Sequence, residues 1–175
     1  IQHTLKLIIT DHMASNIRSN SFSPVIYSDT KILILGSLPG KKSLELRQYY
    51  GHARNRIWNI LSLLTGGDIP NSYEQKKKLL CKNNIGLWDV AHSAHREGSL
   101  DSNIKDETPN DIEGLLNNYG SIKVIGFNGK KSEKMFYKYF AEKPEIKYVP
   151  LPSTSPANMA ISFEDICVRW SELFV

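Results

Sequence analysis

The stretch KILILGSLPG, residues 31–40, decides the fold of this chain. Its four consecutive apolar residues, Ile32–Leu35, lie between a lysine and a glycine. That pattern is typical of a parallel strand buried on both faces. The glycine- and proline-containing segment that follows would lie at the carboxyl end of this strand, where parallel sheets place their ligand sites. We therefore expect a buried strand that leads directly into a binding loop.

Three further apolar runs predict strands that alternate with helices. The runs are Ile85–Val90, Ile122–Phe127 and Ile146–Leu151. Apolar spacing and capping sequences predict helices at 55–65, from Ser72 to about Lys82, from Thr108 through Leu116, at 130–140 and from Ser162 to Phe174. This order predicts an α/β fold, a three-layer α/β/α sandwich around a central four-stranded, mainly parallel sheet.

Two of the helices carry apolar residues that we expect to face the core. In the helix at 130–140 these are Met135, Phe136, Tyr139 and Phe140, and in the final helix Phe163, Ile166, Cys167, Trp170 and Phe174.

Length and composition exclude several classes of protein. A chain of 175 residues suits one domain that buries roughly 70% of its surface, and no apolar run approaches the ~20 residues of a membrane span. Cys81 and Cys167 lie far apart without a C-x-x-C spacing. They exclude a four-thiolate iron–sulfur cluster and a disulfide framework, and they favour a reducing compartment. The formal charge of +4 says little about partners by itself.

The amino-terminal residues differ from the rest of the chain. Residues 1–15 contain the string HMAS, which is typical of an expression-vector remnant, so we set them apart as a tag or a disordered leader. Residues 16–175 are predicted to form a single domain. Within them Phe22–Val25 is expected to pack across an edge of the sheet.

The loop and helix after the first strand combine turn residues, basic residues and aromatic rings. Gly36, Ser37, Leu38, Pro39 and Gly40 let backbone amides approach a ligand closely, although an ordinary connecting loop would also use them. The basic residues are Lys41, Lys42, Arg47, Arg54 and Arg56, and they are interleaved with Tyr49, Tyr50 and His52. Such a mixture suits phosphates and a stacked ring. A solvated basic face is the alternative.

Two asparagines and a hydroxyl-rich loop add further polar groups: Asn55 lies where the helix at 55–65 should begin, and Asn128 and the loop follow predicted strands. Asn55 is either a helix cap or an amide that holds a water or a base, and Asn128 is either a turn residue or a reader of a base edge. The loop carries Ser153, Thr154 and Ser155, followed by Pro156, Ala157 and Asn158. It could grip a phosphate or insert beside a base pair, or it could simply connect two elements.

Other catalytic schemes find little support in the sequence. No G-x-S-x-G elbow and no G-x-x-x-x-G-K-[ST] loop is present. His92 and His95 lie in a predicted loop without a third ligand of suitable type nearby, so we expect no metal.

Four strings together resemble the uracil-DNA glycosylase superfamily, and among its branches the hypoxanthine-DNA (DNA-deoxyinosine) glycosylases. The strings are ILGSLPGKKSL…QYYGHARNRIW, GLWDVAHSAHREGSLDSNI, IGFNGKKS and LPSTSPAN. The resemblance runs from about Phe22 to the end of the chain. It implies a monofunctional enzyme that flips a deaminated base out of DNA and hydrolyses its N-glycosidic bond without a cofactor.

The resemblance also implies roles for individual residues. Asn55 resembles the catalytic asparagine, and Gly36–Gly40 the loop that shapes the pocket for the base and the water. Tyr50, with Tyr49 as a second candidate, resembles the aromatic residue that stacks on the base, and His52 lies beside them. Asn128 matches the residue that reads the base edge. Ser153–Asn158 matches the loop that pinches the DNA backbone.

Basic residues near these motifs are expected to contact phosphates and make binding depend on salt. They are Lys41, Lys42, Arg54, Lys130 and Lys131.

The chain departs from other branches of the superfamily at three positions. Ser153 stands where several branches carry a catalytic histidine, and Ala157 stands near their bulky wedge, which leaves extrusion of the base to groups such as Asn158. The first motif lacks the acidic water activator of the most active uracil enzymes. The chain also differs from the familiar form of its own branch, which has a proline where Ala53 stands. These differences favour a deaminated purine over uracil.

Alternative functions follow from the same residues. Removal of uracil, or excision from G:T and G:U mismatches, is the alternative within the class. A non-catalytic module that binds damaged DNA or nucleotides and a hydrolase of free nucleosides are alternatives from other classes. For the glycosylase we expect single- or double-stranded DNA with a deaminated base as the partner, no membrane association, a monomer, and a location in the cytosol or nucleoid of a bacterium or archaeon.

Overall fold

A computed structural model describes residues 18–175 of the chain. The expectation of a tag or disordered leader at residues 1–15 lies outside the described residues, as do the first two residues of the predicted domain.

The described part of the chain contains seven β-strands in two sheets. They are β1 (Ser19–Asn20), β2 (Ile32–Gly36), β3 (Ile85–Asp89), β4 (Ala91–His95), β5 (Lys105–Pro109), β6 (Val124–Asn128) and β7 (Lys147–Leu151). The four-stranded sheet has the order β3-β2-β6-β7 and all its pairs are parallel. A smaller antiparallel sheet has the order β1-β4-β5.

Six α-helices lie within residues 18–175. They are α1 (Lys41–Leu46), α2 (Ile57–Thr65), α3 (Tyr73–Lys82), α4 (Ile112–Asn118), α5 (Lys130–Tyr139) and α6 (Phe163–Trp170). Ser72 caps α3 by accepting from the Gln75 N–H, and Ser162 caps α6 in the same way. Both caps agree with the sequence prediction.

The side chains of β2 alternate between two hydrophobic cores, one on each face of the parallel sheet. Ile32 and Ile34 pack with residues of α2, α3 and α6, whereas Leu33 and Leu35 pack with residues of α4, α5 and β4. Because all four of these β2 side chains are buried, the strand has no solvent-facing side. The predicted three-layer α/β/α sandwich with a four-stranded parallel sheet is confirmed.

The edge of the parallel sheet at β3 is covered by the segment that precedes β2. Val25 and Leu87 exchange backbone hydrogen bonds of 2.9 and 2.8 Å in an isolated antiparallel bridge. The prediction that Phe22–Val25 packs across a sheet edge is confirmed.

The region between β3 and α4 differs most from the sequence prediction. His92 and His95 lie on β4 rather than in a loop, and Thr108 and Pro109 end β5 rather than opening a helix. Helix α4 begins later, with Asp111 as the cap that accepts from the Gly114 N–H. The predicted strands at Ile85–Val90 and Ile122–Phe127 each differ from β3 and β6 by one or two terminal residues.

Three aromatic residues that were expected to face the core are exposed. Tyr139, Phe163 and Phe174 are 36%, 41% and 40% exposed, so this part of the prediction was wrong. Tyr139 ends α5, Phe163 opens α6, and Phe174 ends the short 3-10 helix Ser171–Phe174 that follows α6, so each lies at the end of a helix.

None of the helices in the described residues is long and apolar enough to cross a membrane.

Candidate active site

The carboxyl ends of β2, β3 and β6 meet at one cavity. Its volume is about 140 Å³, and a cavity of about 150 Å³ in another protein admits benzene, so this cavity has room for an aromatic ring. Side chains from four separated segments line it. The lining residues are Gly36–Ser43, Tyr49, Tyr50, His52, Asn55, Asp89, Arg96, Ser99, Asp101, Asn128 and Ser153–Pro156.

The loop Gly36–Gly40 is held by a group of side chains that we call the clamp, namely Ser37, Arg96 and Asp101. The Arg96 guanidinium donates to the carbonyls of Leu38 and Pro39 and lies 3.4 Å from Asp101 Oδ1. Ser37 Oγ donates to the same carboxylate oxygen at 2.7 Å. Because the Arg96 side chain is only 3% exposed, these bonds fix the loop from its buried side.

Three other lining residues each keep a polar atom that no described residue bonds. We call Tyr50, Asn55 and Asp89 the open wall. The Tyr50 hydroxyl is buried without a hydrogen-bond partner, Asn55 Nδ2 donates to none of the described residues, and Asp89 Oδ1 accepts from none. Buried polar groups are nearly always bonded in folded proteins, so the buried Tyr50 hydroxyl, which lines a cavity, points to a ligand.

Asp89 ends β3 and pairs in register with Gly36. Its Oδ2 accepts from Ser21 Oγ at 2.8 Å. Burial raises the pKa of this carboxyl to about 7, an effect that Asp101 reinforces and that Ser21 and Arg96 oppose. A large fraction of Asp89 is therefore protonated at neutral pH.

Tyr50 adopts a strained backbone conformation beside Asp89. Its φ of 51° lies in the left-handed region, which a bulky residue rarely occupies. The Trp58 indole N–H donates to the Tyr50 carbonyl at 3.1 Å and helps to hold this conformation. Burial, and secondarily the Asp89 charge, raises the pKa of the Tyr50 hydroxyl, so it stays protonated. Strain maintained in a cavity wall is typical of functional sites.

Asn55 contacts both the start of α2 and the cavity. Its Oδ1 accepts from the Ile57 N–H at 3.1 Å, although the N-cap position of α2 is Arg56 and not Asn55. The residue also lines the cavity. Because the bond from Ile57 uses only Oδ1, the Nδ2 donor stays available to a water or a base.

Asn128 joins the end of β6 to the last loop. Its Nδ2 donates to Thr154 Oγ1 at 2.9 Å, and its Oδ1 accepts from the Thr154 N–H at 3.0 Å. One N–H and one lone pair of the amide remain for a ligand.

Arg56 also ties this loop to the first motif. Its N–H donates to the Thr154 carbonyl, and its guanidinium donates to the carbonyls of Asn158 and Ile161. This arginine, which the sequence grouped with phosphate-binding residues, is therefore a structural tie.

Tyr49 and His52 both line the cavity, but they differ in burial. Tyr49 is 3% exposed and its hydroxyl donates to the carbonyls of Phe22 and Ser23. His52 is exposed, and its Nδ1 accepts from the Arg54 N–H at 3.1 Å. Tyr50 is thus the tyrosine whose polar atom stays free in the cavity.

Some predicted DNA-binding residues lie outside this cavity. Lys41 and Lys42 lie at its rim and are exposed, whereas Asn158 and Lys130 line a neighbouring depression that shares Ser153 with it. The residues that line neither are Arg54, Lys131 and Ala157.

Asp89, Arg96, Ser99 and Asp101 line the cavity, and the sequence reading did not select them. They lie in the segment 89–103, which follows a predicted strand and contributes to the family resemblance, but in which the sequence singled out only the histidines as possible ligands. His92 Nδ1, on β4, lies 3.2 Å from Asn110 Oδ1, and His95 Nδ1 is buried without a partner among the described residues. Neither histidine lines the cavity. An aspartate directly after a buried apolar strand was the more informative residue.

A parallel α/β sandwich with a base-sized polar cavity at its strand ends defines the class of this protein. A model of the uracil DNA glycosylase superfamily matches residues 24–173. The chain belongs to this superfamily, and the resemblance that the motifs indicated is confirmed.

Curated relatives cover most of the chain. A protein of Methanosarcina barkeri named hypoxanthine DNA glycosylase is 44% identical over 158 residues, which are 90% of this chain and 98% of that protein. A protein of Methanosarcina acetivorans with the same name is 40% identical over 142 residues, 81% of this chain and 89% of that protein.

A solved structure has the same fold. The solution NMR structure of a candidate uracil DNA glycosylase from Methanosarcina acetivorans superimposes with a TM-score of 0.76 at 36% identity. The match covers 90% of this chain and 97% of that one.

Proposed function

We propose that this protein is a DNA repair glycosylase that removes hypoxanthine from DNA by hydrolysing the N-glycosidic bond. The observation that carries the proposal is the open wall, in which Asn55, Tyr50 and Asp89 leave polar atoms free in a base-sized cavity. The two relatives named hypoxanthine DNA glycosylase support the choice of base, since one matches this chain over 98% of its own length.

The mechanism needs a positioned water and support for the leaving base rather than a strong nucleophile. As the bond between C1′ and the base breaks, positive charge develops on the sugar and negative charge on the base. In the proposal Asn55 Nδ2 holds the water or the base, and the clamp keeps the Gly36–Gly40 loop rigid against the base.

DNA is the proposed partner, and the protein is proposed to bind it as a monomer. Lys41 and Lys42 at the rim would contact phosphates on either side of the flipped nucleotide. Extrusion costs least for a mispaired base, which favours the selection of deaminated sites. Ser153–Asn158 lies beside the cavity, where it would pinch the backbone.

The test is cleavage of a labelled duplex that contains one deoxyinosine. We expect abasic sites that break only after alkali, because the proposed enzyme has no lyase step. Breakage without alkali would contradict the monofunctional mechanism, and no breakage beside an active control enzyme would contradict the function.

Uracil is the second candidate base, because the NMR neighbour is named as a candidate uracil DNA glycosylase. A panel of hypoxanthine, uracil and xanthine in single- and double-stranded DNA separates the candidates. Binding of inosine DNA without abasic sites would instead identify a non-catalytic module, and hydrolysis of free nucleosides without dependence on DNA or salt would identify a nucleoside hydrolase.

A further inference from the structure

Asp89 places a carboxyl oxygen in the cavity without a protein partner. Its Oδ2 is occupied by Ser21 Oγ, whereas Oδ1 accepts from none of the described residues. The residue is 4% exposed and lines the cavity. Since the bond from Ser21 fixes the carboxyl group, Oδ1 is presented to a bound base in a defined position.

Gly36 shows how closely the surrounding atoms approach this oxygen. A Cβ at position 36 would lie 2.7 Å from Asp89 Oδ1 and 3.0 Å from the Tyr50 hydroxyl oxygen. Any side chain there would displace the carboxyl oxygen and crowd the hydroxyl. The glycine that ends β2 thus preserves the positions of a carboxyl and a hydroxyl on the same wall of the cavity.

The protein surroundings favour the protonated form of Asp89. The charged and titratable groups that face it are Arg96 and Asp101 from beyond β4, and Tyr49 and Tyr50 from the segment before α2. Arg96 would stabilise the carboxylate, but it is engaged with Asp101 and the loop carbonyls. Burial prevails and raises the pKa of Asp89 to about 7.

Hypoxanthine can use a proton from such a group. Like guanine, it presents N7 and O6 as acceptors on one edge. A proton placed on N7 as the glycosidic bond breaks neutralises the negative charge that would otherwise build up on the ring. General-acid assistance of this kind contributes about 10²- to 10⁴-fold to a rate.

We propose that Asp89 is the catalytic acid that protonates N7 of the departing hypoxanthine. The electron pair of the C1′–N9 bond moves onto the base, and the Asp89 proton passes from Oδ1 to N7. A water molecule adds to C1′ and releases a proton, and solvent returns a proton to the Asp89 carboxylate. The products are abasic DNA and neutral hypoxanthine. This inference rests on the proposed function.

Asp101 is the other carboxyl of the cavity, and its contacts suit a different role. Its Oδ1 already accepts from Ser37 at 2.7 Å and lies 3.4 Å from Arg96. Its side chain is 40% exposed, whereas Asp89 is only 4% exposed and is fixed by Ser21. Asp101 therefore positions the loop, and Asp89 is the buried carboxyl that faces a bound base.

The first test compares the single-turnover rate of excision in the wild type and in Asp89→Asn as a function of pH. The wild-type rate should fall as the pH rises through about 7, because the acid form disappears. The variant should be about 100-fold slower at pH 6 and should lack this descending limb. Asp68→Asn, the same change at an exposed aspartate, should match the wild type.

The second test replaces the acceptor on the substrate. DNA with 7-deazahypoxanthine carries a C–H in place of N7 and cannot take the proton. The wild type should lose most of its rate on this substrate, and Asp89→Asn should be no slower than the wild type on it. Equal losses for the variant on both substrates would overturn proton delivery to N7.

A third variant keeps the acid but changes its environment. The hydrogen bond from Ser21 lowers the pKa of Asp89, so Ser21→Ala should move the descending limb to higher pH without removing it. A purely structural role for Asp89 predicts no such displacement. This measurement also remains informative if Asp89→Asn fails to fold.

The outcomes separate this inference from the proposed function. A wild type that releases no hypoxanthine at any pH would overturn both. An active wild type with Asp89→Asn within about threefold of it, and with the same pH profile, would overturn only the role of Asp89.

Discussion

The clamp and the open wall lie on the same cavity and treat their polar atoms in opposite ways. In the clamp, Arg96 donates to the loop carbonyls and contacts Asp101, and Ser37 donates to Asp101. In the open wall, Tyr50, Asn55 and Asp89 keep a hydroxyl, an amide N–H and a carboxyl oxygen free. Polar groups that are all hydrogen-bonded make a structure rigid, whereas groups without a partner can form hydrogen bonds to a ligand. The difference predicts that clamp variants lose stability and open-wall variants lose activity.

The largest expected effect is that of Asn55→Ala on the rate of excision. Loss of Nδ2 should lower the single-turnover rate on inosine DNA by about 10³-fold, whereas loss of the bond from the Ile57 N–H should cost only about 1 kcal/mol of the free energy of unfolding. Ser72→Ala also removes a side-chain acceptor for a backbone N–H at the start of a helix, α3, and is the matched control. It should lower stability by a similar amount and leave the rate unchanged. Equal rates for the two variants would remove Asn55 from catalysis.

Arg96→Ala should break the clamp. The side chain is 3% exposed, and its loss leaves the Leu38 and Pro39 carbonyls without their donor and leaves Asp101 with Ser37 alone. Because Asp101 is partly exposed to solvent, we expect a cost of about 3 kcal/mol, at the lower end of the range for broken buried pairs. Denaturant unfolding measures it. Arg169→Ala breaks an exposed pair with Glu172 and should cost less than about 1 kcal/mol; a similar cost for both variants would contradict the clamp.

Asp89→Asn should stabilise the fold at high pH although it lowers activity. The folded pKa of about 7 lies above the ordinary value of 3.8 for an aspartate, so the wild type loses stability as the pH rises from about 4 to about 7. Each pKa unit corresponds to about 1.4 kcal/mol, which sets an upper limit of about 4 kcal/mol. Since the amide bonds Ser21 less well, we expect a gain of about 2 kcal/mol above pH 7.

Thermal unfolding of Asp89→Asn and the wild type at pH 4 and at pH 8 checks this. The advantage of the variant should be present at pH 8 and absent at pH 4. A wild type that is the more stable protein at pH 8 would show that Asp89 belongs with the satisfied groups of the clamp.

The smallest expected effect concerns the exposed lysines at the rim. If Lys41 and Lys42 each neutralise one phosphate, Lys41→Gln and Lys42→Gln should each reduce the slope of log affinity against log salt by about 1. The excision rate at saturating enzyme should not change. Lys82→Gln, at the end of α3 and near the amino ends of the strands, should leave the slope as it is. If Lys41→Gln and Lys42→Gln both leave the slope of log affinity against log salt unchanged, the DNA does not contact this rim.

The elements of the parallel sheet were predictable from sequence because local patterns specify them. A strand buried on both faces must be apolar throughout, as Ile32–Leu35 is, and the caps Ser72 and Ser162 lie three residues before the N–H groups that they accept from. The segment after the first predicted strand also contains Asn55 and Tyr50, and both residues line the cavity.

The antiparallel sheet was not predictable in this way. Strand β5 has no apolar face and ends in a proline, so nothing in its residues separates it from a loop. It exists because β4 pairs with it and because Ser93 and Thr108 lie 2.6 Å apart, hydroxyl to hydroxyl, across the two strands. Such pairing depends on chain segments brought together by the fold.

Sequence alone determined the α/β class, the superfamily and the loops that surround the cavity, because each depends on residues close together in the chain. Only the tertiary structure decided which polar atoms stay free. Asp89 favours its protonated form because the fold buries it beside Ser21. Asp101 pairs with Arg96 across a turn. Two aspartates of identical chemistry thereby take different roles, since burial and neighbouring charges arise only when the chain has folded.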